Sequence, residues 1–144
     1  MNILIADDHA NVRRGLREIL VDAFSDAHFS EASNGAEVLT QLVGSQHDIL
    51  LLDINMPGRN GLEVLKDVNK IYPQLPVVMV SVQPENQYAP RCLRAGATAY
   101  VNKNSASEEL APAIKKILAR DTLSTLKPNG NLSTNLMDVL APPL

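Results

Sequence analysis

Residues 48–61 read Asp48-Ile49-Leu50-Leu51-Leu52-Asp53-Ile54-Asn55-Met56-Pro57-Gly58-Arg59-Asn60-Gly61. An apolar run of strand length ends abruptly in a carboxylate, and a Pro/Gly-rich turn follows. An uninterrupted apolar strand fits the interior of a parallel sheet covered on both faces. Ligands of open sheets of this kind bind beyond the carboxyl ends of the strands, which is where Asp53 falls. Pro57 and Gly58 stop the strand and hold the next residues in a tight loop. Gly61 opens a helical pattern made by Leu62, Leu65, Val68 and Ile71. Taken alone, Asp53 reads as an ordinary turn-capping acid. The rest of the chain changes that reading.

Working back to the N-terminus, Asn2–Ala6 is a short buried strand ending in two acids, Asp7 and Asp8. Val12, Leu16, Ile19, Leu20 and Ala23 then form one apolar helical face, opposite Arg13, Arg14, Arg17 and Glu18. His28–Ser33 is a weaker second strand. Asn34-Gly35 is a turn, and Ala36, Val38, Leu39, Leu42 and Val43 mark a second helix closed by Gly44. Working forward from the third helix, expected to end near Tyr72, Pro76–Ser81 is a fourth strand ending in a hydroxyl. Glu85–Ala95 is a fourth helix that Pro90 should shorten or kink, and Gly96 ends it. Ala97–Val101 is a fifth strand, followed by Asn102 and Lys103. Ser105 and Glu108 have capping-box spacing before a fifth helix carrying Leu110, Ala113, Ile114, Ile117 and Leu118, which Pro112 should bend. Five strand–helix alternations predict an α/β, flavodoxin-like, doubly wound five-stranded parallel sheet with five helices. The helical pattern fails from about Asp121. The expected organisation is a domain over 1–120 and a linker or tail over 121–144, with a short helix near Leu132–Leu140.

Composition narrows the function classes. The 144 residues suit one domain, and 45% are hydrophobic, enough for a packed core. Thirteen Lys and Arg against sixteen Asp and Glu give a net charge of −3, so no basic field is available for nucleic acid. The single Cys92 cannot form an internal disulfide. The N-terminus lacks the basic start and long apolar run of a signal peptide, and no apolar stretch reaches membrane-span length. A cytoplasmic, soluble protein without a membrane partner is expected.

Parallel strands bring Asp7, Asp8, Asp53, Ser81 and Lys103 to one sheet edge. Three carboxylates there repel one another, and Lys103 neutralises one. A divalent cation would balance the remainder. Oxygen-only ligands point to Mg2+, which binds through one or two carboxylates and keeps several waters. A carboxylate beside Mg2+ and an ammonium is a nucleophile suited to phosphorus, and Ser81 is placed to donate to an attached phosphoryl group.

These residues resemble the receiver domain of two-component response regulators over residues 2 to about 120. The matching positions are Asp7-Asp8, Asp53 with Met56-Pro57 and Gly61, Ser81, Tyr100 and Lys103. Ile5-Ala6-Asp7-Asp8-His9 with Val12-Arg13-Arg14-Gly15-Leu16, and Ala95-Gly96-Ala97 with Tyr100-Val101-Asn102-Lys103, resemble the subfamily with a LuxR-type helix-turn-helix output. The resemblance implies that Asp53 is the phosphoacceptor, receiving phosphate from a histidine kinase. It implies Asp7, Asp8, Asp53 and the backbone carbonyl of Asn55 as Mg2+ ligands, Lys103 as the phosphoryl partner, and Ser81 and Tyr100 as the switch. It also implies a role in transcriptional regulation for the full-length protein, with a homodimer as one route of output. Three departures stand out. Asn104 replaces the Pro that commonly follows the Lys, Val82 occupies a position that is commonly small, and the helix-turn-helix is not among these 144 residues.

Two other classes fit the residues less well. A phosphatase with an aspartyl intermediate wants a second acid two residues after the nucleophile, where this chain has Asn55. A flavodoxin-like cofactor module wants a Gly/Ser/Thr-rich phosphate cradle, where this chain has acids. The densest basic cluster, Arg13-Arg14-Arg17, lies on the first helix, so no direct nucleic-acid binding is expected of this chain.

Overall fold

The computed structural model describes residues 1–126, with side chains described to Arg120. In chain order the elements are β1 (Asn2–Ala6), α1 (Ala10–Ala23), β2 (His28–Ala32), α2 (Gly35–Gly44), β3 (Ile49–Leu52), α3 (Gly61–Ile71), β4 (Val77–Ser81), α4 (Glu85–Arg94), β5 (Ala99–Asn102) and α5 (Ala106–Leu126). A 3-10 turn, Lys103–Ser105, precedes α5. Residues Met1–Ala111 form one compact unit holding the whole sheet, and Pro112, inside α5, begins the second.

All strand pairings are parallel, in the order β2-β1-β3-β4-β5. This is the flavodoxin-like, doubly wound arrangement, and its chain reversal lies between β1 and β3. The interior strands are apolar throughout because neither face meets water. Ile3–Ala6, Ile49–Leu52 and Val77–Val80 are all buried. Alternate side chains take opposite faces. Leu4, Leu50, Leu52, Val77 and Met79 join Val38 and Leu42 of α2, Val64, Leu65 and Val68 of α3 and Cys92 of α4 in one cluster. Each such aliphatic contributes roughly 1.5–3 kcal/mol on burial.

The helices differ from their sequence patterns in instructive places. Ile71 and Val43 are exposed, and Val64 takes the core position that Ile71 was expected to share. Both residues sit in the last turn of their helices. Gly44 is the last residue of α2 but has no positive φ, so it makes no left-handed cap. Pro90 neither shortens nor interrupts α4, which is ten residues long like α2. The carbonyl left without its helical partner belongs to Asn86, an exposed residue open to solvent. Ser105 closes the 3-10 turn, which is capped by the Asn102 side chain accepting from the Asn104 N–H, and Glu108 follows in the first turn of α5. The full capping box lies at α3 instead. There Asn60 accepts from the Glu63 N–H at 3.0 Å, and Glu63 accepts from the Asn60 N–H at 3.3 Å. Helix α5 continues to Leu126, beyond the point near Asp121 where the apolar pattern fails. The helix expected near Leu132–Leu140 lies outside the described residues.

Candidate functional site

The carboxyl edge at the β1/β3 reversal carries two buried acids. Asp7 follows β1, and its N–H donates to the Ala32 carbonyl at 3.0 Å. Asp53 follows β3, and its N–H donates to the Ala6 carbonyl at 3.0 Å. The sheet ladder therefore holds both residues one step past their strands. Asp7 is 1% and Asp53 3% exposed, which is uncommon for carboxylates unless they are paired.

Lys103 supplies the pairing. Its Nζ lies 2.6 Å from Asp7 Oδ2 and 3.1 Å from Asp53 Oδ2. The ammonium thus makes close charge contacts with both acids and donates a hydrogen bond to Asp53. One cation between two buried anions leaves the site net negative. Burial pushes the Asp53 carboxyl up, Lys103 opposes this, and the Asp7 charge adds to it; the net direction is upward. Burial alone would lower Lys103, but Asp7 and Asp53 outweigh it and its affinity for the proton rises. Asp53 Oδ1 is buried and has no hydrogen-bond partner among the described residues. A buried carboxylate oxygen without a donor fits a site that takes a cation or another polar group.

Asp8 stands at the mouth of the site with its side chain 30% exposed. Asn55 is exposed in the loop after β3. Asp7, Asp8 and His9 place one potential ligand atom each within 4.8 Å of one another. The residues present thus fit a small divalent cation.

Ser81 ends β4 fully buried, and its Oγ accepts the Gln83 N–H at 3.2 Å. The Tyr100 hydroxyl donates to the Gln83 carbonyl at 2.7 Å, and Asn102 Nδ2 donates to the same oxygen at 3.4 Å. Ser81 and Tyr100 therefore both bond to the backbone of one residue, Gln83, in the loop entering α4. Val82 points outward and is exposed.

The structure gathers Asp7, Asp53 and Lys103 directly, with Asp8 beside them and Ser81 and Tyr100 on the neighbouring loop. It also shows contacts of Gly61, His9, Arg13 and Arg17 that local pattern did not reveal. Gly61 presses on the phosphoacceptor candidate: its N–H donates to the Ile54 carbonyl at 2.6 Å, and a Cβ there would lie 1.9 Å from the Asp53 carbonyl oxygen. His9 turns its ring toward both N-terminal acids. Arg13 donates to the Asp7 carbonyl at 2.6 Å and to Glu31 at 2.6 Å, and Arg17 also pairs with Glu31. The basic cluster of α1 is thus largely committed to intramolecular contacts.

The fold is that of a receiver domain. Residues 3–115 match the family described as "Response regulator receiver domain", and the chain belongs to that family. It is 32% identical over 117 residues to the response regulator UvrY of Escherichia coli strain K12, covering 81% of this chain and 54% of that one. The chain therefore spans about half the length of the curated relatives it matches. Among solved structures, a LuxR-family two-component response regulator from Aurantimonas sp. SI85-9A1 is 28% identical, with a TM-score of 0.75 over 82% of this chain and 84% of that one. The response regulator TrrA from Thermotoga maritima, solved in complex with Mg(2+)-BeF, is 31% identical, with a TM-score of 0.71 over 80% of this chain and 96% of that one. This chain is accordingly a response regulator receiver domain of two-component systems, related to the LuxR-family regulators.

Proposed function

We propose that Asp53 accepts a phosphoryl group from the phosphohistidine of a histidine kinase. The observation that carries this reading is the buried Asp53 carboxylate, tied by Oδ2 to Lys103 and without a hydrogen-bond partner at Oδ1 among the described residues. An Asp53 oxygen attacks phosphorus, the phosphorus–nitrogen bond breaks, and the kinase imidazole leaves with the electron pair. The sheet ladder fixes the attacking carboxylate, so little orientation is lost in the reaction. Lys103 stands where charge develops on the transferring oxygens. Asp7, Asp8, Asp53 and the Asn55 carbonyl are the residues to hold Mg2+, which when bound neutralises charge on the phosphoryl oxygens. Ser81 is the donor to the attached phosphoryl group. To reach it, the Ser81 hydroxyl releases the Gln83 N–H, and this frees the loop to which Tyr100 is bonded. The domain acts as a phosphoacceptor rather than as an enzyme on a separate substrate, and it works in the cytoplasm. Output passes through protein contacts, including a second copy of the chain, and serves transcription in the longer protein.

Incubation with a small acyl phosphate and Mg2+ tests the assignment. The expected result is one base-labile phosphoryl group by intact mass, and none on Asp53→Asn. A stable phosphoryl group on that variant would overturn the role of Asp53.

A further inference from the structure

Strand β2 ends at Ala32, whose carbonyl accepts the Asp7 N–H. The chain then turns toward α2, so the ladder has no further strand residue to donate to the Asp7 carbonyl. A side chain takes that place. Arg13, in the first turn of α1, donates from Nη1 to the Asp7 carbonyl at 2.6 Å and from Nε to Glu31 Oε1 at 2.6 Å. One planar guanidinium thus ties the end of β1 to β2, and such a fork holds two partners in a fixed relative geometry. The Arg13 side chain is only 16% exposed, and Arg17 holds the other oxygen of Glu31. The bond matters because of what the Asp7 side chain faces. Its buried carboxylate contacts Lys103 at 2.6 Å and opposes the charge of Asp53. The backbone at Asp7 must resist that repulsion just where its strand partners run out.

We propose that Arg13 is a positioning residue for phosphoryl transfer, acting through Asp7: it fixes the strand-end peptide so that the Asp7 carboxylate stays against Lys103 and in place for a cation. The proposal rests on the reading of Asp53 as phosphoacceptor, and it adds a residue that touches neither the phosphoryl group nor the metal. Groups that hold a ligating side chain in place commonly govern metal affinity nearly as strongly as the ligand itself. Arg17 provides the internal comparison. It shares Glu31 with Arg13 and lies over the Phe29 ring at 5.9 Å. It makes no contact with Asp7 among the described residues, so it braces α1 against β2 without reaching the site.

The test uses the whole chain, with Mg2+ and a small acyl phosphate as probes. Calorimetric titration gives the Mg2+ affinity, and initial rates give the Michaelis constant for the acyl phosphate. The Lys103 side-chain carbon signals, recorded in chelator, report the surroundings of the ammonium without metal or phosphodonor. Arg13→Ala should shift the Lys103 signals and weaken Mg2+ by roughly tenfold. It should slow phosphorylation at fixed Mg2+ while leaving the Michaelis constant for the acyl phosphate nearly unchanged. Arg13→Lys, which keeps the charge but not the fork, should fall between Arg13→Ala and wild type, and it carries the test if Arg13→Ala does not fold. Arg17→Ala should match wild type in every readout. A residue that only supports folding would lower the fraction of protein that reacts and leave the Mg2+ affinity and Lys103 signals of the folded fraction unchanged. That result in the Arg13 variants refutes the proposal while the phosphoacceptor reading stands. Equal losses in Arg17→Ala and Arg13→Ala refute it in the same way, since the brace between α1 and β2 would then be responsible. If wild type takes up no phosphoryl group on Asp53, the phosphoacceptor reading fails and the role of Arg13 with it.

Discussion

At the scale of single residues, the site is built from an electrostatic mismatch. Two carboxylates are taken out of water beside one ammonium, and the sheet supplies neither a second cation nor a donor for Asp53 Oδ1. The charged form of Asp53 is therefore held at a cost in the metal-free protein. Its folded-state proton affinity is raised above the ordinary aspartate value of 3.8. The folded state binds that proton more tightly than the unfolded state does. The associated stabilisation is present below the ordinary value and is lost as pH rises through the raised one. Asp53→Asn removes the ionisation, so in chelator its melting midpoint should exceed wild type at neutral pH. The gap should close on acidification through the raised value. A constant gap at every pH would contradict this account. Gly61 sets a different limit. Any side chain there meets the Asp53 carbonyl, so Gly61→Ala should destabilise by roughly 3 kcal/mol and displace the end of β3. Thermal unfolding measures the first effect, and slowed phosphorylation of the folded fraction measures the second.

At the scale of elements, the loop between β4 and α4 is the part of the site best placed to report phosphorylation. The Gln83 backbone there is held at its N–H by Ser81 and at its carbonyl by Tyr100 and Asn102. A change of partner at Ser81 removes one of these bonds and leaves the others bearing on the first turn of α4. Ser81→Ala should leave the phosphorylation rate of Asp53 roughly unchanged. It should also abolish the chemical-shift changes at Tyr100 and α4 that phosphorylation causes in wild type. Equal changes in both proteins would remove Ser81 from the switch. The helices themselves are secured by separate means, such as the Asn60–Glu63 capping box of α3. The loop can therefore move without melting the scaffold.

At the scale of the whole molecule, charge decides what this chain can bind. Thirteen basic residues stand against sixteen acidic ones. Of the cluster on α1, Arg13 and Arg17 are bonded to Glu31, and Arg13 also to the Asp7 carbonyl. Specific DNA binding draws on a clustered basic face and an element that enters a groove. Residues 1–144 alone should give no saturable, sequence-dependent signal in anisotropy titrations at physiological salt, with or without a phosphate mimic. Such a signal would overturn the proposal that output passes through protein contacts. Among the described residues no helix is long and apolar enough to cross a membrane.

The sequence by itself determined the alternation of strands and helices, because burial on both faces forces the apolar runs Ile3–Ala6, Ile49–Leu52 and Val77–Val80 to be uninterrupted. It also determined which strand ends are polar, and hence that Asp7, Asp53, Ser81 and Lys103 share an edge, since parallel strands leave no other arrangement. Tertiary structure decided what those residues touch. That Lys103 bridges Asp7 and Asp53 depends on side-chain reach across two strands, and no local pattern encodes it. The clash awaiting any side chain at Gly61 depends on how closely α3 approaches the end of β3. Packing leaves Ile71 and Val43 exposed although the apolar pattern includes them, and Pro90 is tolerated because the carbonyl it orphans belongs to a solvent-facing residue. Periodicity records which face of an element is apolar, and only packing shows where that face stops finding a partner.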